Sequence, residues 1–157
     1  MKVACLRFWL CLICAAYLGL AGVYNVMTPP FESADEVWHY PVVHHLANEG
    51  FQLPILNPEQ PLPWRQQAAQ PPLYYLLAAV LTAPIDTSDF EQVWRLNPHE
   101  LGISVAGGVP IAVIHNVEAE AWPWRGTILA VHVARGLSSL FGLGTVLVSF
   151  MLARELF

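Results

Sequence analysis

The apolar positions of the chain fall into two long runs, separated by a patterned stretch broken by prolines. From Phe8 to Met27 no residue is charged and nearly every one is apolar, FWLCLICAAYLGLAGVYNVM. A helix rising about 1.5 Å per residue needs about 20 such residues to cross a hydrocarbon core of about 30 Å. The run therefore predicts a membrane-spanning helix over 8–27. A second run, LSSLFGLGTVLVSFML over Leu137–Leu152, predicts another. Extended back through ILAVHVA across Arg135, it gives a span over 127–153 closed by Arg154. Lys2 and Arg7 lie before the first span and Arg154 at the end of the second. Under the positive-inside bias both termini are then cytoplasmic, and residues 28–126 form a loop on the outer side.

That loop is predicted as short helices between proline breaks. Thr28-Pro29-Pro30 ends the first helix, since proline lacks the donor a helix needs and restricts the residue before it. Residues 34–49, ADEVWHYPVVHHLANE, place Val37, Trp38, Val42, Val43, Leu46 and Ala47 at helical spacing. Ser33 is the expected N-cap, with Glu36 at the capping-box position. Pro41 is expected to kink this helix and Gly50 to cap its end. Pro54 to Pro63 is expected to be extended loop. Pro71-Pro72 open a second helix near 71–83, LYYLLAAVLTA, too short to span a bilayer squarely. It either lies in the interface, with Tyr74 and Tyr75 at headgroup level, or re-enters against other helices. Pro84 to Glu120 has no clear period and contains Gly107-Gly108, so it is expected to be mostly loop, with short strands around Ile111–Ile114. Trp122 and Trp124 are placed as interfacial aromatics. The predicted fold is an α-helical membrane protein, two transmembrane helices flanking a large exported loop with short amphipathic helices. The loop is expected to have little core of its own.

Composition supports this picture. The chain has 157 residues, 55% hydrophobic and 12% charged, with a mean hydropathy of +0.46. Average soluble domains carry about 25% charged residues, so too few polar side chains remain to cover a cytosolic globule, and a disordered chain is excluded. A net charge of −5 argues against nucleic-acid binding, which normally requires a basic face. Between 28 and 126 eleven acids face three arginines and no lysine, the bias of an exported loop. Cys5, Cys11 and Cys14 all lie in the first apolar run, so the loop is not a disulfide scaffold. The competing reading of that run is a cleaved signal peptide with Gly19-Leu20-Ala21 as its small-x-small site. The remainder would then be a secreted sugar- or peptide-binding module using its loop tryptophans as stacking surfaces. The run is, however, longer than an h-region and continues past that site.

The adjacent acids Asp35-Glu36 are the first candidates for chemistry. Just beyond the outer end of a span, one of them can act as general base toward a hydroxyl acceptor. The plainer reading is a pair of acids favoured by the helix dipole, at about 0.3–1 kcal/mol each. Asp35 and His39 are four apart, with His44-His45 about a turn later, a spacing that permits a metal site. The plainer reading there is an exposed helix face. Arg135, inside or at the mouth of a span, is costly unless it snorkels or finds a partner such as a phosphate or a loop carboxylate. His132, one turn earlier, either joins that site or faces the headgroups.

The order of these parts, PPFESADEVWHY after a first span, then QPPLYYLL, then a span opening VARGLSSLFGLG, resembles the N-terminal part of membrane glycosyltransferases with the C-type fold. The branch it is most similar to contains the protein O-mannosyltransferases and aminoarabinose transferases. The resemblance covers nearly the whole chain through two specific motifs, the Asp-Glu pair and Pro-Pro-Leu-Tyr-Tyr. It implies transfer of a sugar from a polyprenyl-phosphate donor to an acceptor at the outer face, in a bacterial inner or plasma membrane. Asp35 would be the catalytic carboxylate and Glu36 its neighbour. Gln70, Pro71 and Tyr74 would lie near the lipid-phosphate donor, and Arg135 or Arg65 would make the phosphate contact. Gln70 stands where the aminoarabinose branch has a lysine. The cofactor is left open, a divalent metal on Asp35 and His39 being the option the spacing allows. Enzymes of this family have many more spans, so the chain is expected to be a piece of a longer enzyme. The alternative is a non-catalytic two-span membrane protein whose acidic exported loop binds a partner.

Overall fold

The computed structural model describes residues 2–56, 62–98 and 111–156. The middle of the proline-rich stretch after Pro54 and the Gly107-Gly108 segment lie outside the residues so described, and of Cys5 the backbone alone is described. Among the described residues every regular element is helical: α1 (Lys2–Met27), α2 (Glu36–Asn48), α3 (Leu73–Thr82), α4 (Phe90–Val93), α5 (Val117–Glu120) and α6 (Gly126–Leu156), with a 3-10 turn over Arg65–Ala69. The strand expected around Ile111–Ile114 is reduced to a single antiparallel bridge, Leu96 with Val113. The 84–120 stretch holds two one-turn helices, α4 and α5, too short to leave a periodic signal.

The chain divides into two compact units, residues 1–27 with 135–157, and residues 28–134. In the first, α1 and the latter part of α6 are long and apolar enough to cross a membrane. Their large side chains, among them Phe8, Ile13, Leu20, Val23, Phe141, Val148 and Met151, are exposed. The Tyr17 hydroxyl donates to the Ser139 carbonyl at 3.1 Å. Gly142 makes room for that hydroxyl, since a Cβ there would occupy its place.

The second unit has a core, contrary to the expectation of little packing between the spans. It is built from Phe31, from Val37, Tyr40, Val42, Val43 and Leu46 of α2, from Tyr75, Ala78 and Ala79 of α3, and from Phe90 and Val113. Ile128, Ala130, Val131 and Ala134 complete it. These last residues open α6, and hydropathy alone assigned them to the membrane. At 31 residues α6 is about 46 Å long. The part beyond Ala134 is about 33 Å, close to the thickness of a hydrocarbon core at about 30 Å. One apolar run therefore serves two purposes, globular core first and exposed apolar helix afterwards.

Two local features shape α2. It starts at Glu36, not after Ser33, because Asp35 takes a left-handed conformation (φ 56°) as the N-cap residue. Glu36 does not close a capping box with Ser33. Its carboxylate instead accepts the Phe31 backbone N–H at 2.8 Å and sets the corner after α1. Pro41 sits inside α2, which runs on through it. At the other end Gly50 (φ 61°) follows the C-cap residue Glu49. The Phe51 N–H then reaches back to the Leu46 carbonyl at 2.8 Å, the closing bond of a Schellman turn.

Candidate functional site

The acidic corner and the Pro-Pro-Leu-Tyr-Tyr segment, some 35 residues apart in sequence, are joined in space where α2 packs on α3. Ala78 and Ala79 are fully buried, and their small side chains let the two helices approach closely. One turn before them Tyr75, 3% exposed, points at α2. Its hydroxyl lies 2.7 Å from His39 Nδ1. The two rings lie 5.9 Å apart and nearly parallel.

Burial favours the neutral form of both partners in that hydrogen bond. Burial pushes the His39 pKa below its ordinary value, outweighing the opposing pull of Asp35 and Glu36. Burial likewise pushes the Tyr75 phenol up, with Tyr74 adding to it. A neutral imidazole and a protonated phenol make this a neutral hydrogen bond, donated by the hydroxyl to Nδ1 or by Nδ1–H to the hydroxyl according to the tautomer. Gln70 Oε1, 3.5 Å from the same hydroxyl, is a second and weaker acceptor.

Asp35 itself is exposed, and its side chain makes no capping bond to α2. Trp38 and His39 donate their backbone N–H groups to its carbonyl, at 2.9 and 3.0 Å. Arg65, also exposed, places its guanidinium 3.5 Å from the centroid of the Trp38 ring, a cation–π contact. Among the described residues only Phe31, Asp35, Phe51 and Arg65 combine a side chain with left-handed φ. Two of these four belong to the candidate site. Aspartate tolerates that conformation, whereas arginine holds it at a cost of about 1–3 kcal/mol, the kind of strain that gathers at functional sites.

The remaining expectations fare unevenly. Pro71 is exposed at the turn into α3. Tyr74 turns away from His39, its hydroxyl donating to the Ala134 carbonyl at 3.3 Å. Tyr75 is buried by the packing of α3 on α2. Arg135 is buried at 8% exposure, and its Nη1 donates to the Asn25 carbonyl near the end of α1 at 3.0 Å. A cation is favoured at such a helix C-terminus by the backbone dipole. His132 is buried and stacks on the half-buried Trp124 with ring centroids 3.6 Å apart; Trp122 is exposed. A metal does not fit Asp35 and His39. Asp35 lies outside the helix that would align the pair, His39 Nδ1 faces Tyr75, and no group of three ligating side chains is present among the described residues.

Two features escaped sequence reasoning. Tyr75, not Tyr74, is the partner of the acidic corner, and the signal was the small-residue face Ala78-Ala79-Thr82 that follows it at helical spacing. The second feature is a histidine held between two carboxylates. His115 Nε2 lies 3.0 Å from Glu32, and Nδ1 lies 3.0 Å from both oxygens of Glu120. Glu32 is 83 residues from His115, and no local pattern marks so distant a pair.

Compared with known proteins, the chain matches no family model, no curated protein and no solved structure.

Proposed function

We propose that the chain is the N-terminal part of an integral-membrane glycosyltransferase that moves a sugar from a polyprenyl-phosphate donor to an acceptor at the outer face. In this reading α1 and α6 span the lipid bilayer, both termini are cytoplasmic, and residues 28–134 lie outside. Further spans would complete the donor cavity, as in the family the sequence resembles. The observation that carries the reading is the 2.7 Å contact between His39 and Tyr75, which brings the two motifs of the resemblance to one corner.

In the proposed reaction Asp35 takes the proton of the acceptor hydroxyl as its oxygen attacks the anomeric carbon. The bond from that carbon to the phosphate oxygen breaks, and the phosphate leaves with its electron pair. Arg65, whose exposed guanidinium is held over Trp38, is the cation that meets it. Glu36 is a positioning residue, because its carboxylate holds the Phe31 N–H and thereby the corner that presents Asp35. No step is assigned to a metal ion.

The acidic partner-binding alternative has less in its favour. Glu32, Glu36, Asp89 and Glu120 each accept hydrogen bonds from the chain's own backbone, so they do not form a free acidic face. The test is transfer from polyprenyl-phosphate-linked sugars in membranes carrying the intact protein. Asp35→Asn should lower transfer by about 10²–10⁴-fold with the unfolding temperature unchanged. Undiminished transfer by that variant would overturn the assignment.

A further inference from the structure

The two carboxylates that hold His115 ask for more protons than a neutral ring can supply. Its Nε2 lies 3.0 Å from Glu32 Oε1, and its Nδ1 lies 3.0 Å from both oxygens of Glu120. A neutral imidazole has one N–H donor and one lone pair, whereas an imidazolium donates from both nitrogens; an ionised carboxylate only accepts. A neutral ring therefore serves one of the two contacts and turns its lone pair on the other carboxylate. The protonated ring serves both, through charge-assisted hydrogen bonds. We infer that His115 is a proton-operated clasp. It is closed on Glu32 and Glu120 together when the ring carries two protons, and it lets go of Glu120 when it gives one up to solvent.

Glu120 is the side that yields, because Glu32 is held more firmly. The same Glu32 oxygen accepts the N–H groups of Ala112 and Val113, and Val113 is buried and bridged to Leu96. The further bond to Glu120 comes from the Asn116 N–H, inside its own loop. The element that carries Glu120, α5, has four residues, too few to persist as a helix without tertiary support. Release therefore frees α5 while the bridge at Val113 stays. The charged groups that face the ring are Glu32, from the segment before α2, and Glu120, from α5. Glu118 of α5 is exposed, as is Arg95, whose carbonyl accepts the Ile114 N–H. Glu32 precedes Asp35 in the same corner, so the closed clasp ties α5 to the segment that presents the candidate carboxylate. The inference does not depend on the transferase reading.

The experiment measures the distance between nitroxide labels on α5 and at the end of α2, by double electron–electron resonance on the intact chain in detergent. Cys5, Cys11 and Cys14 are replaced by alanine, and the exposed positions Glu118→Cys and Glu49→Cys carry the labels. Samples at about pH 5.5 and about pH 9 bracket the ordinary imidazole value of about 6.5 and stay above the ordinary carboxylate range of about 4. The parent should give a narrow distance distribution at the lower pH and a broader one at the higher. In Glu120→Gln the amide N–H donates to the lone pair of a neutral ring, so both contacts survive loss of the proton. That distribution should stay narrow at both pH values. His115→Phe has no donor and should be broad at both. A parent distribution that does not change with pH would overturn the inference. A pH response that persists in Glu120→Gln or in His115→Phe would also overturn it, because another group would then be titrating.

Discussion

The Trp94 indole N–H donates to the carbonyl of Val37 at 2.8 Å. That carbonyl lies four residues before Pro41, so it is the acceptor which the missing N–H of Pro41 leaves without its helical partner. A tryptophan 57 residues away supplies the bond the proline cannot. This is how α2 keeps Pro41 in its interior, with Val37 and Pro41 both buried. The same indole stacks beside Phe90 and meets Trp38 edge-on, tying the α4 segment to the helix that carries the acidic corner.

Trp94→Phe keeps most of the ring packing and removes the donor, so the Val37 carbonyl is left buried and unpaired. The expected loss is about 1–3 kcal/mol, read by chemical unfolding followed through circular dichroism. Pro41→Ala restores the helix's own N–H at that carbonyl, so in its background Trp94→Phe should cost less. A double-mutant cycle showing strictly additive effects would mean that Trp94 acts through packing alone.

Asp89 caps α6 from outside the helix. One of its oxygens accepts both the backbone N–H of Thr127, at 2.9 Å, and the Thr127 hydroxyl, at 2.7 Å. It satisfies an orphan donor of the first turn and puts negative charge at the positive end of the helix dipole. Gly126 (φ 54°) makes the approach possible, since a Cβ there would collide with the carboxylate. Asp89→Ala should lower stability by about 0.5–2 kcal/mol, Asp89→Asn should lose less, and Gly126→Ala should also destabilise. Thermal unfolding in detergent ranks the three; an Asp89→Ala variant as stable as the parent would show that the first turn of α6 is held by its packing.

Glu32 holds the segment that follows the 99–110 stretch. One of its oxygens accepts the N–H groups of Ala112 at 2.8 Å and Val113 at 3.2 Å, and the other end of that segment returns through His115. Glu32→Ala leaves those donors unpaired and should cost about 1–3 kcal/mol. Glu32→Gln retains an acceptor oxygen and should recover part of the loss. Chemical unfolding of both variants decides it, with equal losses for Ala and Gln pointing to the charge, not the acceptor, as the source of stability.

The long elements were legible because their apolar runs exceed anything a loop needs, and α2 and α3 because their burial follows the helical period. The point at which α6 passes from packed core to exposed apolar helix was not legible. Hydropathy reports that Ile128 to Ala134 avoid water, but it cannot tell a protein core from lipid. The start of α2 was misplaced for a related reason. A capping box at Ser33 and Glu36 is locally sound, but Glu36 had a competing donor at Phe31 that only the folded corner supplies. The site was half visible. Asp35 and the Pro-Pro-Leu-Tyr-Tyr segment stood out as motifs, whereas which tyrosine faced the corner depended on how closely α3 packs on α2.

The neutral histidines of α2 predict how stability changes with pH. Burial lowers the pKa of His39, and it lowers that of His44, which stacks on Phe90 at 4.0 Å, despite the raising effects of the Thr87 backbone, Glu91 and Asp89. In the unfolded chain both rings titrate near the ordinary value of about 6.5. As pH falls through that value the unfolded state binds protons that the folded state resists, so folding stability declines. The decline should flatten once pH is below the folded pKa values, and stability should be fully recovered above the unfolded one. Unfolding temperatures measured between pH 7.5 and 5 should therefore fall, and His39→Gln with His44→Gln should make the fall shallower. Carboxylate protonation contributes to both proteins alike, which is why the difference between them is the quantity to read. An identical pH slope in the double variant would mean that both rings are as well solvated in the folded protein as in the unfolded chain. It would also remove the basis for a neutral His39 beside Tyr75.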